Sequence, residues 1–340
     1  MKKLFIIIIF LLCPLSVQAY ENLTVYDIDG DRVLYGVKNE HLGLIASTTK
    51  VMTAVVALEN SDLSNEFVVT KEDVDIYGSS IYLKVGDKVT TKDLLYGLML
   101  RSGNDAALTL ANHIYGHDTF VDLMNQKSYY IGMKYTKFGN PHGLDDETEN
   151  TSTTDDMARL IAYAVKNSEF KKIASARKCI FNNETWYNKN ELLGIYKYAT
   201  SGKTGYTPHA GYTFVSTASK NGMNLAIATF RDKDRFFTHK KLYEEFFSKY
   251  NKYEILNKYS FFINDKNNKD THLYIKNSYS MMLTKEEKKN LKINVNIYER
   301  QVNNKAGFIS VKLNDKEVHR EYIYALKYQN NKKRILDILT

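Results

Sequence analysis

The sequence is short of cysteine. Among 340 residues only Cys13 and Cys179 are present, and Cys13 falls in an N-terminal segment that reads as removable. One remaining thiol cannot form an intramolecular disulfide, so the fold must rest on its core. No Cys/His spacing matches a zinc site, and neither metal nor cofactor is expected. Cys179 reads as a small buried residue and not as a nucleophile. Long apolar runs are also scarce. Leu4 to Leu15 is shorter than the roughly 20 residues of a spanning helix, and nothing later in the chain is long enough. With Lys2 and Lys3 before it and Val17-Gln18-Ala19 after it, this run has the form of a signal peptide cleaved after Ala19, so residues 1–19 are expected to direct export. Leu12 stands where a lipidated cysteine would need a small neighbour, which argues against a lipoprotein. Proline occurs three times. Beside the abundant Lys, Asn and Tyr, that scarcity reads as genomic bias without functional content.

What is present is ordinary for a globular protein of about two domains: 44% hydrophobic and 25% charged residues, enough for a packed core. Charge is unevenly placed. Residues 251–340 hold 18 Lys+Arg and 10 Asp+Glu, a balance of +8, and the whole chain is also +8, so residues 1–250 are near neutral. A basic C-terminal region on an exported chain fits peripheral contact with an anionic surface, wall polymer or lipid head groups, and equally a solvated lysine-rich face. The end, Lys332 to Thr340, places cations before a short apolar stripe and fits at most a weak surface contact. No nucleic-acid module is visible.

The element pattern predicts α+β. Leu23–Tyr26 and Arg32–Val37 read as strands around the hairpin signal Asp29-Gly30. A helix follows over Val51–Leu58. Short strands are expected at 65–70 and 81–85, then helices over 91–100, from 105, over 120–131 and over 155–165. Strands are expected at 178–181, 184–187, 198–204, 211–219 and 223–230, the last two joined by Asn221-Gly222. A helix over 241–250 closes this part. Terminal strands and terminal helix are expected to share a sheet layer, with the central helices as a second lobe. After about residue 253, alternating segments at 259–263, 272–275, 292–298, 308–313 and 320–324 predict a small all-β domain. The expected division is 1–19 signal, 20–252 main domain, 253–330 β domain and 331–340 basic tail.

Chemistry concentrates at three element boundaries. Ser47-Thr48-Thr49-Lys50 places a hydroxyl at a helix N-terminus with a lysine one turn on, near enough to act as its base. The positive end of the helix dipole disfavours the ammonium and favours charge developing on the serine oxygen. Ser102-Gly103-Asn104 interrupts two helices with a polar turn whose side chains must be directed somewhere defined. Lys203-Thr204-Gly205 ends a strand. Each is weak alone, and a capping serine or a plain turn is the bland reading. All three in this order resemble the penicillin-recognising serine enzymes.

The surrounding stretches narrow the resemblance to the low-molecular-mass D-alanyl-D-alanine carboxypeptidases, the S11 serine peptidases. They are Ile45–Ala54, Leu98–Ala107, Phe138–Leu144, Asn188–Leu193 and Lys203–Gly211, within about residues 20–250. The resemblance implies an antiparallel sheet with a helical lobe, an accessory β domain and no metal. It implies that Ser47 attacks the terminal D-Ala-D-Ala bond of a peptidoglycan stem peptide, with Lys50 as base and Ser102 relaying a proton to the leaving nitrogen. Asn104 would bind the substrate amide, and Lys203 with Thr204 its carboxylate. Gly205 completes the third motif, and the N–H groups of Ser47 and Tyr206 would form the oxyanion hole. β-Lactams are the implied inhibitors. Many relatives carry histidine where this chain has Tyr206. His142 and His209 are given structural roles. Two alternatives remain open: a β-lactamase of the same fold, for which Glu147 and Glu149 lie in the interval that carries the deacylating glutamate, and a wall-binding protein that senses β-lactams by staying acylated.

Overall fold

A computed structural model describes residues 22–261, 263–264 and 271–327; the expected signal segment and the basic tail lie outside the described residues. Strands β1 (Asn22–Asp27) and β2 (Arg32–Val37) form the first hairpin. They join β3 (Ala199–Thr207), β4 (Gly211–Lys220) and β5 (Met223–Phe230) in one antiparallel sheet of order β2-β1-β5-β4-β3. Asn221 and Gly222 both have positive φ, as a type I′ turn requires.

Both faces of the sheet are covered, and alternation assigns them. Leu23, Val25, Phe214, Leu225 and Ile227 pack against Leu242, Tyr243 and Phe246 of the helix Arg235–Lys249. On the other face Tyr26, Val215, Ala226 and Ala228 meet the helical lobe, including Val51, Met157 and Ile161. Burying each large side chain stabilises by about 1.5–3 kcal/mol, so two covered faces make this sheet a rigid base. The helix Lys50–Asn60 runs through the centre of the lobe and is buried from Lys50 to Ala57.

Several elements differ from expectation for local reasons. Residues 81–85 form no strand: Tyr82 has positive φ, and the N–H groups of Ile81 and Leu83 donate to the Asp105 carboxylate instead of to a partner strand. The helix expected over 91–100 is α-helical over Thr91–Tyr96 and π-helical over Gly97–Arg101. A helix over Ser168–Ser175 was not anticipated; Asn167 caps it by accepting from Glu169 and Phe170 N–H. The closing helix begins at Arg235, ahead of the expected residue 241; its early turns bury the polar Thr238 and His239, which hides its buried face from a search for apolar periodicity. Tyr259–Phe261 is a turn closed on Asn257, and the strand there is Ile263–Asn264.

The last part of the chain carries a two-stranded sheet, Asn251–Leu256 with Tyr279–Leu283, and a five-stranded sheet ending in three long strands over 291–327. Their facing side chains form a separate core around Ile275, Met281, Ile309, Val311 and Ile323. This part grips the β1–β2 hairpin. Met282 N–H donates to Asp27 at 2.7 Å, Tyr279 OH to the Gly30 carbonyl at 3.1 Å, and Arg32 bonds Glu287 at 3.0 Å.

Candidate active site

The site forms where the Ser47 turn meets the edge strand β3. Ala46–Thr49 is a 3₁₀ turn feeding the helix that starts at Lys50. The register of β3 fixes what reaches it. Lys203 pairs with Val215 and Gly205 with Thr213, and directly paired residues share a face. Val215 faces the helical lobe, so Lys203 and Gly205 do too. A Cβ on Gly205 would lie 2.9 Å from Ser47 N and 3.0 Å from Thr48 N, and would overlap Thr213 Oγ1. Only glycine lets the strand backbone lie against the serine turn. From the other side Gly143, at φ +92°, leaves no room for a Cβ beside the Ala46 carbonyl.

Lys50 Nζ lies 3.1 Å from Ser47 Oγ and 2.8 Å from Asn104 Oδ1, and also bonds the His142 carbonyl. Lys50 has no exposed surface. Burial, and next the Lys189 charge, lowers its pKa to about 7, against an upward pull from Asp105. A neutral amine has two N–H groups and one lone pair. Asn104 and the His142 carbonyl can each take one N–H, which leaves the lone pair for the Ser47 hydroxyl proton. That is the geometry of a general base.

Ser102 ends the π-helical turn in left-handed conformation, φ 66°, a strained placement for a non-glycine residue. Its hydroxyl accepts from Lys203 Nζ at 2.9 Å, and Lys203 also donates to the Thr204 carbonyl at 2.7 Å. Lys203 is 1% exposed. Burial, then the charges of Lys50 and Lys189, holds its pKa well below the lysine range. Asn104 is fixed by its N–H to the Ser79 carbonyl, 2.7 Å, and by Nδ2 to the Tyr77 carbonyl, 2.7 Å.

A cleft of about 650 Å³ opens at Ser47, Asn104 and Tyr206. Lys50, Ser102 and Lys203 are buried behind it. The Thr204 side chain is half-buried and does not line the cleft. Tyr206 is 57% exposed and packs on Tyr212, with ring centres 4.6 Å apart. Arg101 and Lys189 on one side of the lining, and Asp145 and Asp146 in the 138–150 loop, are contributions that the motifs did not reveal. The carbonyls of His142 and Tyr77 are further ones, and no side-chain signal marks a carbonyl. His142 Nδ1 accepts from Leu144 N–H, and burial, then Lys50, lowers its pKa to about 3. Glu147 and Glu149 are exposed and do not line the cleft. Among the described residues no three His, Cys, Asp or Glu side chains gather as a metal site.

The sequence profile of the S11 peptidases, described as D-alanyl-D-alanine carboxypeptidase, matches residues 14–234. The D-alanyl-D-alanine carboxypeptidase DacB2 of Mycobacterium tuberculosis is 37% identical over 209 residues, covering 60% of this chain and 72% of that one. A crystal structure of a D-alanyl-D-alanine carboxypeptidase from M. tuberculosis H37Rv superposes with a TM-score of 0.65 at 34% identity, over 67% of this chain and 91% of the other. Penicillin-binding protein 5 of Haemophilus influenzae shares the fold more extensively, with a TM-score of 0.75 over 91% of this chain and 96% of its own, at 23% identity. A matched span that contains all three motifs, on a shared α+β fold, makes the conclusion direct: this chain belongs to the S11 family of serine-type D-alanyl-D-alanine carboxypeptidases.

Proposed function

We propose that the enzyme removes the terminal D-alanine from peptidoglycan stem pentapeptides through an acyl-enzyme on Ser47, and that β-lactams acylate the same oxygen. The observation that carries this reading is a buried Lys50, its pKa brought to about 7, 3.1 Å from Ser47 Oγ. Ser47 Oγ attacks the carbonyl carbon of the D-Ala-D-Ala bond while its proton passes to Lys50. The N–H groups of Ser47 and Tyr206 receive the developing oxyanion. The C–N bond breaks as the proton held by Lys50 is relayed through the Ser102 hydroxyl to the leaving nitrogen, which returns Lys50 to the neutral amine and leaves Ser102 a hydroxyl. Water then releases the shortened stem peptide and restores the Ser47 hydroxyl. Lys203 binds the substrate's terminal carboxylate and Asn104 orients the peptide amide; the Thr204 side chain, which does not line the cleft, has no part in this reading. Arg101 and Lys189 add positive charge that an anionic substrate balances.

In this reading residues 1–19 direct export, 20–252 form the catalytic unit and 253–330 an accessory β domain. The basic C-terminal region meets an anionic wall or membrane surface. No described helix is long and apolar enough to cross a membrane. The β-lactamase alternative is disfavoured because Glu147 and Glu149 stand away from the Ser47 cleft. The test is D-alanine release from a stem pentapeptide. The wild type should release it and Ser47→Ala should not. Equal release by both would remove Ser47 from the mechanism. Acylation by penicillin without any D-alanine release would favour the sensor.

A further inference from the structure

The cleft has two walls near its mouth, and they are joined at one point. One wall is the 138–150 loop. Its first half is held rigidly against the Ser47 helix. Asn150 Oδ1 accepts from Gly139 N–H at 2.6 Å, and its Nδ2 donates to Thr49 Oγ1 at 2.9 Å. Asn140 Oδ1 accepts from Gly143 N–H at 2.7 Å, and its Nδ2 donates to the Leu144 carbonyl at 2.9 Å. Thr53 Oγ1 donates to the Pro141 carbonyl at 2.6 Å. The other wall is the end of β3, which supplies Tyr206.

Asp145, the residue after this anchored half, crosses between them. Its Oδ2 accepts from Thr207 Oγ1 at 2.6 Å. Among the described residues this is the only hydrogen bond from the 138–150 loop to strand β3. The bond is enclosed: the Asp145 side chain is 7% exposed and Thr207 is 6% exposed. Thr207 Oγ1 in turn accepts from Ala210 N–H at 3.0 Å, which closes the Pro208-His209 turn. His209 Nδ1 lies 3.8 Å from Asp145 Oδ1 on the solvent side.

The placement has a consequence for the reaction. Thr207 follows Tyr206, and Asp145 lies two residues beyond Gly143, which packs on the Ser47 turn. Of the two N–H groups of the oxyanion hole, that of Ser47 therefore sits on the turn that the loop braces, and that of Tyr206 on the strand. Gly205 sets their approach from inside, and the Asp145–Thr207 bond sets it from the mouth. We propose that Asp145 and Thr207 are positioning residues, which hold the Ser47 and Tyr206 N–H groups at the spacing the tetrahedral intermediate requires. The inference rests on the Ser47 reading above. A charge-assisted bond suits this task, being short and about twice as strong as a neutral one. The role is geometric, so an acceptor at position 145 and a hydroxyl at position 207 are what it needs.

The experiment is the rate of Ser47 acylation by benzylpenicillin, followed by intact mass over a range of concentrations. This separates the limiting rate of acylation from the concentration that half-saturates it. Displacing a donor without removing it should cost roughly 10- to 100-fold in the limiting rate. Asp145→Ala and Thr207→Val should show that loss with half-saturation unchanged. Asp145→Asn, which keeps an acceptor, and Thr207→Ser, which keeps the hydroxyl, should stay within a few-fold of wild type. Thr207→Val leaves a buried carboxylate without its donor, which is destabilising. If that variant does not fold, Asp145→Ala, which leaves no charge behind, carries the test. The inference is overturned if Asp145→Ala acylates at the wild-type rate, if Thr207→Ser falls as far as Thr207→Val, or if only half-saturation moves. Failure of the wild type to form any adduct would instead remove the Ser47 reading, and this inference with it.

Discussion

The rate of acylation should titrate with Lys50. A lysine with the ordinary pKa near 10.4 would be neutral in only about 0.4% of molecules at pH 8. Burial, with Lys189 as the second cause, brings Lys50 to about 7. At that value about 90% is neutral at pH 8 and about 10% at pH 6. If the neutral amine takes the Ser47 proton, the acylation rate should fall roughly tenfold between pH 8 and pH 6, with its midpoint near 7. The sign of one perturbation follows from the same causes. Lys189→Met removes a cation that disfavours protonation of Lys50. The lysine then holds its proton more readily, its pKa rises, and the acid limb moves to higher pH. Lys50→Arg places a group that stays protonated throughout, so acylation should be lost across the range. The assay is single-turnover acylation by penicillin from pH 5.5 to 8.5 at constant ionic strength. A flat wild-type profile would refute the assignment of Lys50 as base. A limb displaced to lower pH by Lys189→Met would refute its electrostatic origin.

Two further predictions concern packing and charge away from the reacting atoms. Gly205→Ala drives a methyl against Ser47 N, Thr48 N and Thr213 Oγ1; backbone cannot yield as a side-chain tip can, so penicillin labelling should fall by more than 100-fold with about 1–3 kcal/mol of stability. Labelling near the wild-type rate would show that the strand does not seat against the serine turn. Asp27 lies buried where the last part of the chain grips the first hairpin, and burial pushes its carboxyl up to about 6 despite N–H donation from Met282 and Gly30. The folded protein then holds a proton that the unfolded chain has lost between pH 4 and 6. This group's contribution is therefore full below about pH 4 and declines as pH rises to 6, by at most about 3 kcal/mol. Asp27→Asn keeps an acceptor for Met282 and lacks the titration, so its stability relative to wild type, from urea unfolding, should climb between pH 4 and 6 and level off above. Parallel curves would show that Asp27 titrates alike in both states.

Much of the site was legible because its chemistry requires particular side chains. A nucleophilic hydroxyl, a lysine one turn away and a cation on a strand end leave marks in sequence, and Ser47, Lys50, Ser102 and Lys203 meet in space. The groups that complete the constellation leave none. The carbonyls of His142 and Tyr77 can come from any residue type, and Arg101 and Lys189 look like ordinary surface cations until the fold turns them into the cleft. The fold shows the same division. The sheet strands were visible because alternation and the Asn221-Gly222 turn are local. Residues 81–85 misled because their β-like composition is overridden by the carboxylate of Asp105, more than 20 positions away. The early turns of the closing helix were hidden because His239 is buried by bonds to Ser216 and Thr229, which no apolar periodicity registers.

The central claim is that Ser47 is the acylated nucleophile. Its most direct test is the intact mass of the purified enzyme during incubation with benzylpenicillin, followed by peptide mapping, beside Ser47→Ala. The account predicts one adduct on the wild type, located on Ser47, and none on the variant. An adduct on another residue, or one that persists in Ser47→Ala, would contradict it.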